Sequence, residues 1–517
     1  MPIPAKAAPK CSSNTDPSQT IPASEEGREG ARHSDLVSSG GLRTWCGDHR
    51  RRSGKAIEKF TLRRYKEPGP PLLATALAFG QRRRIFVVKP PLKLAIAGLG
   101  TVGAGVLQLL DRQAELLAER AGRRLVVVAV SARDRRRDRG VDLSAVRWYE
   151  DAVAMAADPE VDVVVELIGG ADGVARQVVD TAISHGKHVV TANKALMAHE
   201  GTRLAARAEE TGIFLSFEAS VAGGIPVIKG LREGLAGNRL QRVYGILNGT
   251  CNYILTTMRE SAHEFAEVLA EAQRLGYAEA DPSFDIDGID AAHKLAILAS
   301  VGFGRPIDLD GVYAEGIRHI SRLDIDFAEE LGYRIKLLGI ARLTEEGLEQ
   351  RVHPCMVPRG TPIAAVEGVY NAVVAEGDFV GRVVLQGRGA GAFPTASAVA
   401  ADLVDIAAGR LVPPFGIHSG DLRAIPGVPI ERHHGAYYIR LMVVDQPGVI
   451  ADVAAALRDE RVSMESMIQR GRAPGEAVPV VMTTHVTVEA AMRRALTKIE
   501  ALDSVLEPLR MIRIEDF

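Results

Sequence analysis

The chain has 517 residues, 46% of them hydrophobic and 25% charged, with a formal net charge of −2 at pH 7. That length exceeds what one core serves, so two to four domains are expected, with the composition of an ordinary globular protein. The charge balance excludes nucleic acid as the main partner, and no apolar run approaches the ~20 residues of a membrane helix. Four cysteines, Cys11, Cys46, Cys251 and Cys355, make neither a disulfide framework nor a metal pattern, so a reducing cytoplasm is the expected setting.

Charge is distributed unevenly. Residues 1–90 hold 17 Lys and Arg against 8 Asp and Glu. They are rich in Pro, Ser, Gly and Arg without sustained periodicity, which predicts a disordered extension. No methionine falls between Met1 and Met155, although the ordered pattern begins near Leu92. A competing reading is therefore an alternative start, at Val87 or Val88, that leaves the extension untranslated.

Leu92–Ala97 has the pattern of a buried strand. Gly98, Gly100 and Gly103 follow it and open a helical run to about Ala121, with Thr101 and Val102 between them. The first two glycines permit a tight turn and close approach of a pyrophosphate, and the third lets helix and strand pack. A dinucleotide, NADP or NAD, is the expected ligand. Strands at Leu125–Ser131, Val161–Leu167, His188–Thr191 and Ile213–Glu218 alternate with helices, which predicts a Rossmann-type doubly wound parallel sheet over 91–222. Arg133 ends the second strand, one place before Asp134. A guanidinium there suits the 2′-phosphate of NADP and a carboxylate suits a free ribose, so NADP is favoured. Ile168 and Gly169, in the turn after Glu166, are expected to border the nicotinamide. Asn193 is a good N-cap for the next helix. Lys194 in its first turn opposes the helix dipole and needs another reason to be there; that place is the crevice where such sheets bind ligands.

From Gly223 the pattern changes to longer helices, Glu264–Leu275 and Asp290–Val301, alternating with strands such as Val243–Leu247. An α+β domain over 223–431 is expected. Within it, Ala272–Lys294 reads AQRLGYAEADPSFDIDGIDAAHK. Asp290 and Lys294 sit four apart on one helical face that continues through Ile297, Leu298 and Val301, an apolar stripe. Desolvation on such a stripe lowers a lysine's pKa and makes it a useful proton carrier. His293 points off that face and reads as structural. The run resembles the diagnostic segment of homoserine dehydrogenases, A-x3-G-aromatic-A-x2-D-P-x2-D-I-x-G-x-D-x3-K. Every fixed position is present, from Ala272 through Gly276, Asp281, Pro282, Asp285, Gly288 and Asp290 to Lys294. The resemblance extends over roughly Leu92 to Phe517.

The resemblance implies interconversion of L-homoserine and L-aspartate 4-semialdehyde, on the route to threonine, methionine and isoleucine. It implies that Lys294 exchanges the proton of the reacting hydroxyl and that Lys194 contacts both substrate and cofactor. Glu279 and Asp290 would hold the substrate's α-amino group, with Asp285 supporting them. Thr250, in Asn248-Gly-Thr-Cys-Asn-Tyr253, would lie near the substrate. Gly389, in Gly387-Arg-Gly-Ala-Gly391, would approach the nucleotide. Glu218-Ala-Ser-Val-Ala-Gly-Gly-Ile225 resembles the family's monovalent-cation loop, in which backbone carbonyls of Glu218, Val221, Gly223 and Ile225 would hold a structural sodium ion. The chemistry is consistent on its own terms: a zwitterionic substrate needs carboxylates, and a developing alkoxide needs a cation. Two other classes stay open. Cys251 could be the nucleophile of a thioester-forming semialdehyde dehydrogenase, although the family commonly has another small residue there. A non-catalytic amino-acid sensor is the other, and retention of both lysines and all the carboxylates argues against it.

Ala398–Ala408 reads as a helix, and in the family the equivalent segment returns toward the nucleotide domain. Arg432–Gly435 reads as a linker. Residues 436–517 run strand (Tyr437–Val444), helix (Val449–Arg458), strand (Ser463–Gln469), strand (Val480–Val488), helix (Ala490–Ala501) and strand (Leu509–Ile514). This resembles the ferredoxin-like ACT domain, a small regulatory module. Its turn Asp445-Gln-Pro-Gly448 places backbone amides at a helix head, where an amino acid's carboxylate can bind, and threonine is the expected effector. A homodimer or higher homo-oligomer is expected.

Overall fold

The computed structural model describes residues 89–410, 412–471 and 473–517. The expectations for the basic N-terminal segment lie outside these residues.

The nucleotide-binding part is a six-stranded sheet: β1 (Leu92–Ala97), β2 (Leu125–Ser131), β3 (Arg147–Tyr149), β4 (Val163–Glu166), β5 (His188–Thr191) and β6 (Leu215–Ser216). All pairings are parallel, in the order β3-β2-β1-β4-β5-β6. That is the doubly wound order that leaves a crevice where the winding reverses, between β1 and β4. The short β3 has too few residues to announce itself by alternation. The expected strand Ile213–Glu218 keeps only Leu215–Ser216. Its end curls into a 3₁₀ turn, Glu218–Ser220, because the Glu218 amide donates to Asp402 Oδ2 at 3.0 Å instead of to a neighbouring strand. The first helical run breaks at Gln113 into Thr101–Arg112 and Ala114–Ala121.

The sheet's core is completed from far downstream. Helix Ala392–Ala408 starts six residues earlier than its expected Ala398 and packs along Thr101–Arg112. Ala396, Val399 and Leu403 are buried with Leu92, Leu94 and Ile96. Contact is close at Gly105, where a Cβ would stand 2.7 Å from the Ala392 carbonyl oxygen.

The substrate part is built on β7 (Leu240–Ile246), β8 (Tyr313–Ala314), β9 (Tyr333–Leu343), β10 (Leu348–Pro358), β11 (Tyr370–Gly377), β12 (Gly381–Arg388) and β13 (Gly427–Val428). The C-terminal part adds β14 (His434–Val444), β15 (Met464–Gln469), β16 (Ala477–Thr484), β17 (Thr487–Val488) and β18 (Arg510–Ile514), with helices Val449–Asp459 and Glu489–Glu500. Its main strand order, β18-β14-β16-β15, is that of a ferredoxin-like βαββαβ unit. The expected strand Val480–Val488 is two pieces, β16 and β17, which pair with different parts of β14.

The expected linker Arg432–Gly435 is instead part of ordered structure. Ile430–Arg432 is a 3₁₀ turn and His434 already pairs with Val488 in the C-terminal sheet. The two sheets are in fact one: β18 pairs in parallel with β10 at Cys355–Arg513 and Met356–Ile514. Buried charges cross the same seam. Asp324 is fully buried and caps helix Arg322–Glu330 through Ser321. From the C-terminal side it accepts hydrogen bonds from Arg440 Nε at 2.7 Å and the Tyr438 hydroxyl at 3.1 Å. Removing one partner of such a pair strands the other charge in the interior. Asp324→Asn is therefore expected to cost about 3 kcal/mol or more, read as a fall in thermal midpoint. An Asp324→Leu/Arg440→Met double variant should lose much less; equal losses would show that the pair is not what joins the two parts.

Candidate functional site

Helix Ile289–Phe303 carries the acid and the lysine. Gly288 leads into it at φ +84°, a left-handed conformation that suits glycine. The stripe expected from the sequence is an understatement, since every residue from Asp290 to Val301 is buried. The Lys294 ammonium is not left alone among apolar groups: it donates to Asp290 Oδ2 at 2.7 Å and to the Leu247 carbonyl at 2.8 Å. The other oxygen of Asp290 lies 2.6 Å from Lys194 Nζ. Asp290 is 2% exposed, so two ammonium groups from two domains meet on one buried carboxylate. Burial opposes its ionisation, but Lys294 and Lys194 outweigh that and hold the carboxyl well below the usual range. Burial likewise works against the charge on Lys194, yet Asp290 raises that amine above its ordinary value.

Asn248 ties the remaining carboxylate in. It ends the turn after β7, caps helix Gly249–Ser261 by accepting from the Cys251 amide at 2.8 Å, and donates to both Asp285 Oδ1 and Asp290 Oδ2 at 2.8 Å. Thr250 Oγ1 lies 2.9 Å from both Asp285 Oδ2 and the Tyr277 carbonyl. The crowd of acids upstream thus separates by role. Asp285 and Asp290 enter the network, whereas half-buried Asp287 pairs with Arg318 and exposed Asp281 caps its own turn at Ser283.

These groups line a cleft of about 600 Å³. It brings together Lys194, Thr250, Glu279, Asp285, Asp290 and Lys294, together with the loop Arg388–Gly391 that contains Gly389. Glu279 is exposed there and near enough to contribute to the raised Lys194 amine. Gly389 has no room for a side chain, because a Cβ would lie 2.2 Å from Asn371 Cγ. Lys194 stands 5.4 Å from the centre of the Phe284 ring, which contacts His293 edge-on at 5.3 Å. Burial, with His199 beside it, pushes the His293 imidazole down to about 4, so it is neutral and packs. Cys251 is completely buried, its thiol is pushed well above its ordinary value by burial, and Sγ lies 3.2 Å from the Asp285 carbonyl. A thiol so placed is a packing group and not a nucleophile.

The glycine turn forms a second part of the site, outside the lining of that cleft. Gly98 adopts φ +97°, and a Cβ would meet the Leu167 carbonyl at 2.6 Å; a Cβ on Gly103 would meet the Gly98 oxygen at 2.1 Å. At Gly100 nothing lies within 4 Å. Two glycines are thus fixed by packing and the third leaves open space at the head of helix Thr101–Arg112, with Thr101 and Val102 in its first turn. That arrangement fits a pyrophosphate. The adjoining turn is held by buried Glu166, which accepts from Ile168 N at 2.8 Å, Gly169 N at 3.1 Å and Thr191 Oγ1 at 2.6 Å. Asn193 donates to the Gly170 carbonyl at 2.7 Å, so the ends of the neighbouring strands β4 and β5 are joined on one side of the crevice. Arg133 is exposed at the end of β2. Arg139 is buried; its guanidinium binds the carbonyls of Asp134 and Arg137 and reaches Leu99 O at 3.4 Å.

In the loop from Glu218 to Ile225, Ala222 and Gly223 both take positive φ, at 53° and 39°. The Glu218 carboxylate is engaged by the following turn, accepting from Ile228 N at 3.0 Å and Lys229 N at 2.8 Å. Burial, with Asp402 beside it, pushes that carboxyl up to about 7. The Ser220 hydroxyl donates to the Phe217 carbonyl at 2.6 Å, which leaves the turn's backbone oxygens as a donor set that suits a hard monovalent ion.

Asn248, Arg139 and Asn371 were not assigned roles from the sequence. An Asn between a strand and a helix was a visible N-cap signal for Asn248. Arg139 and Asn371 carried no comparable signal, because their partners are a backbone loop and a distant glycine.

Three family models match the chain: the homoserine dehydrogenase NAD-binding domain at residues 98–218, homoserine dehydrogenase at 226–404 and the ACT domain at 437–503. A homoserine dehydrogenase of Pseudomonas aeruginosa is 48% identical over 432 residues, covering 82% of this chain and 99% of its own. The crystal structure of a homoserine dehydrogenase from Thiobacillus denitrificans is similar with a TM-score of 0.79 at 47% identity, over 82% of this chain and 98% of that one. A hyperthermophilic archaeal homoserine dehydrogenase in complex with NADPH matches with a TM-score of 0.54 at 27% identity, over 63% of this chain and 99% of its own. A carboxylate shared by two lysines, a glycine turn shaped for a dinucleotide and a ferredoxin-like terminal unit agree with these likenesses: the chain belongs to the homoserine dehydrogenase family.

Proposed function

We propose that the chain interconverts L-homoserine and L-aspartate 4-semialdehyde, with NADP as the favoured cofactor. The observation that carries this reading is Asp290 held between Lys194 and Lys294. The bound nicotinamide cofactor supplies the hydride chemistry. The chain's own groups manage charge and protons. Lys294 exchanges the proton of the reacting hydroxyl. Because both lysines share one carboxylate, loss of a proton from one leaves Asp290 neutralised by the other. Lys194 polarises the reacting oxygen or neutralises the substrate, and the developing alkoxide is thereby met by positive charge. Glu279 and Asp290 receive the substrate's ammonium, and Asn248 and Thr250 keep Asp285 oriented behind them. A sodium ion at the carbonyls of Glu218, Val221, Gly223 and Ile225 would brace the loop beneath Gly389, whose carbonyl a Cβ on Gly223 would approach to 2.6 Å.

Turnover of homoserine and of aspartate semialdehyde by the purified protein, with NADP(H) and NAD(H), tests the reading directly. Lys294→Ala should lower kcat by at least about 10²-fold, the scale of a lost general acid/base. Retention of more than about a third of wild-type turnover would remove Lys294 from that role, since so small a loss is under ~1 kcal/mol of barrier.

Two features support NADP. Arg133 is exposed where the ribose would end, and the competing carboxylate of Asp134 is already engaged by the Arg136 amide at 2.8 Å. Arg133→Ala should raise KM for NADP much more than for NAD, because only NADP offers a phosphate for a charge-assisted bond. An equal rise for both cofactors would make Arg133 a loop residue.

The ACT domain supports a small-molecule regulator, and we read threonine as that regulator. The turn Asp445–Gly448 borders a cleft of about 370 Å³ at the head of helix Val449–Asp459, which has no side-chain cap. Ala451 lines the cleft from the helix's first turn. A carboxylate there complements the helix dipole, so folding is preserved while an anionic ligand is repelled. Threonine should inhibit the wild type, and Ala451→Asp should raise its half-inhibitory concentration at least about tenfold, with kcat unchanged. Absence of inhibition at millimolar threonine, with no ligand-induced rise in melting temperature, would leave the turn structural or tuned to another ligand.

A further inference from the structure

Glu166 ends β4 as a carboxylate that is 0% exposed. Among the described residues its partners are the amides of Ile168 and Gly169 and the Thr191 hydroxyl, none of them a cation. A buried charge without an ion partner is costly, and a neutral acceptor could hold the turn alone. The charge therefore calls for a further role. Thr191 ends β5 and is the register partner of Glu166 across the sheet.

A carboxylate only accepts, so the Thr191 hydroxyl must donate to it, at 2.6 Å. Its lone pairs are then left for the Asn193 amide at 3.0 Å. Asn193 closes the circuit: Nδ2 donates to the Gly170 carbonyl at 2.7 Å, and Oδ1 accepts from the Leu196 amide at 3.0 Å. This ring of bonds encloses the turn Ile168–Gly170, in which Gly169 and Gly170 both take left-handed φ, at 87° and 89°. Two such glycines leave a turn free to flex unless it is bonded from outside. On its other side the ring ends one residue before Lys194. That side chain is a flexible four-carbon stem whose place in the first turn the helix dipole opposes. Its tip is held by Asp290 at 2.6 Å, and its base by Asn193, the cap of its helix.

We propose that Thr191 and Glu166 are positioning residues of the reaction: through Asn193 they set where Lys194 meets the reacting oxygen. The proposal rests on the function proposed above. The Glu166 charge fixes the direction of the Thr191 hydroxyl, and that hydroxyl fixes the head of the Lys194 helix. Neither residue lines the catalytic cleft, so an effect on turnover must pass through a neighbour.

A double-mutant cycle on the full chain, read as turnover of homoserine, tests this. Thr191→Val keeps the shape of the side chain and removes its hydroxyl. It should lower kcat at least about tenfold, within the ~10²-fold that a 1 Å misplacement can cost. Thr191→Ser restores the hydroxyl and should stay within about threefold of the wild type. In a Lys194→Ala background, Thr191→Val should cost less than about twofold, because the group it positions is gone. Glu166→Gln should behave as Thr191→Val does. Its amide oxygen can still accept from the turn, but its Nε2 brings a donor to the Thr191 oxygen. Thermal midpoints identify the folded variants, and either variant alone is decisive. Equal losses with and without Lys194, or failure of serine to restore turnover, would make the network a structural brace and overturn the proposal. Absence of homoserine turnover in the wild type would instead overturn the proposed function, and this proposal with it.

Discussion

A single buried carboxylate organises this molecule. Asp290 lies inside an almost wholly buried helix, where an uncompensated charge would be prohibitive. It is tolerated because Lys294 comes from its own helix and Lys194 from the head of a helix in the nucleotide-binding part. The electrostatic need of one residue therefore holds two domains in register, and it does so at the place where substrate and cofactor must meet. Asn248 extends the same arrangement to Asp285, so the acids that face the cleft are spaced by one amide instead of repelling across it. Stability and chemistry rest on the same hydrogen bonds.

The C-terminal domain is joined by a similar logic with different parts. Only two residue pairs connect β10 to β18, too few to hold a module by backbone bonds alone. Buried ion pairs reinforce the seam, Arg440 with Asp324 on one side and Arg351 with Glu515 on the other. Such pairs contribute little net stability but penalise misalignment strongly. A rotation of the domain would separate charges that have no water to fall back on, so the junction resists small displacements and yields, if at all, in discrete steps.

Much of this was legible in the residues, for identifiable reasons. β1, β2 and β5 have the boundaries their apolar runs gave, because the strands of a parallel sheet covered by helices are written as largely continuous hydrophobic segments. The glycine spacing and the acidic run around Asp285 and Asp290 were equally plain, since short-range patterns encode short-range geometry. What escaped were features whose cause lies far away in the chain. Ile213–Glu218 looked like a strand until Asp402 claimed the Glu218 amide. Arg432–Gly435 looked like a linker because its pairing partner, Thr487–Val488, is more than fifty residues on. The Lys294 face pointed to a desolvated amine, and the carboxylate four residues earlier turned out to answer that burial directly. Arg139 and Asn371 bind a loop carbonyl and abut a glycine backbone, and neither contact leaves a pattern in sequence.

Helix Ala392–Ala408 has a consequence for how the chain is made. It fills the face of the first sheet against Thr101–Arg112, although nearly three hundred residues separate the two in sequence. On a ribosome the nucleotide-binding strands emerge long before this helix does. Until it arrives, Leu92, Leu94 and Ile96 lack part of the cover that buries them in the finished protein. The early half of the chain must therefore wait with an apolar face open, a topology of high contact order that slows folding and invites association. A fragment cut after residue 222 would keep that exposed face indefinitely, so the nucleotide-binding part is a unit of function without being an independent unit of folding.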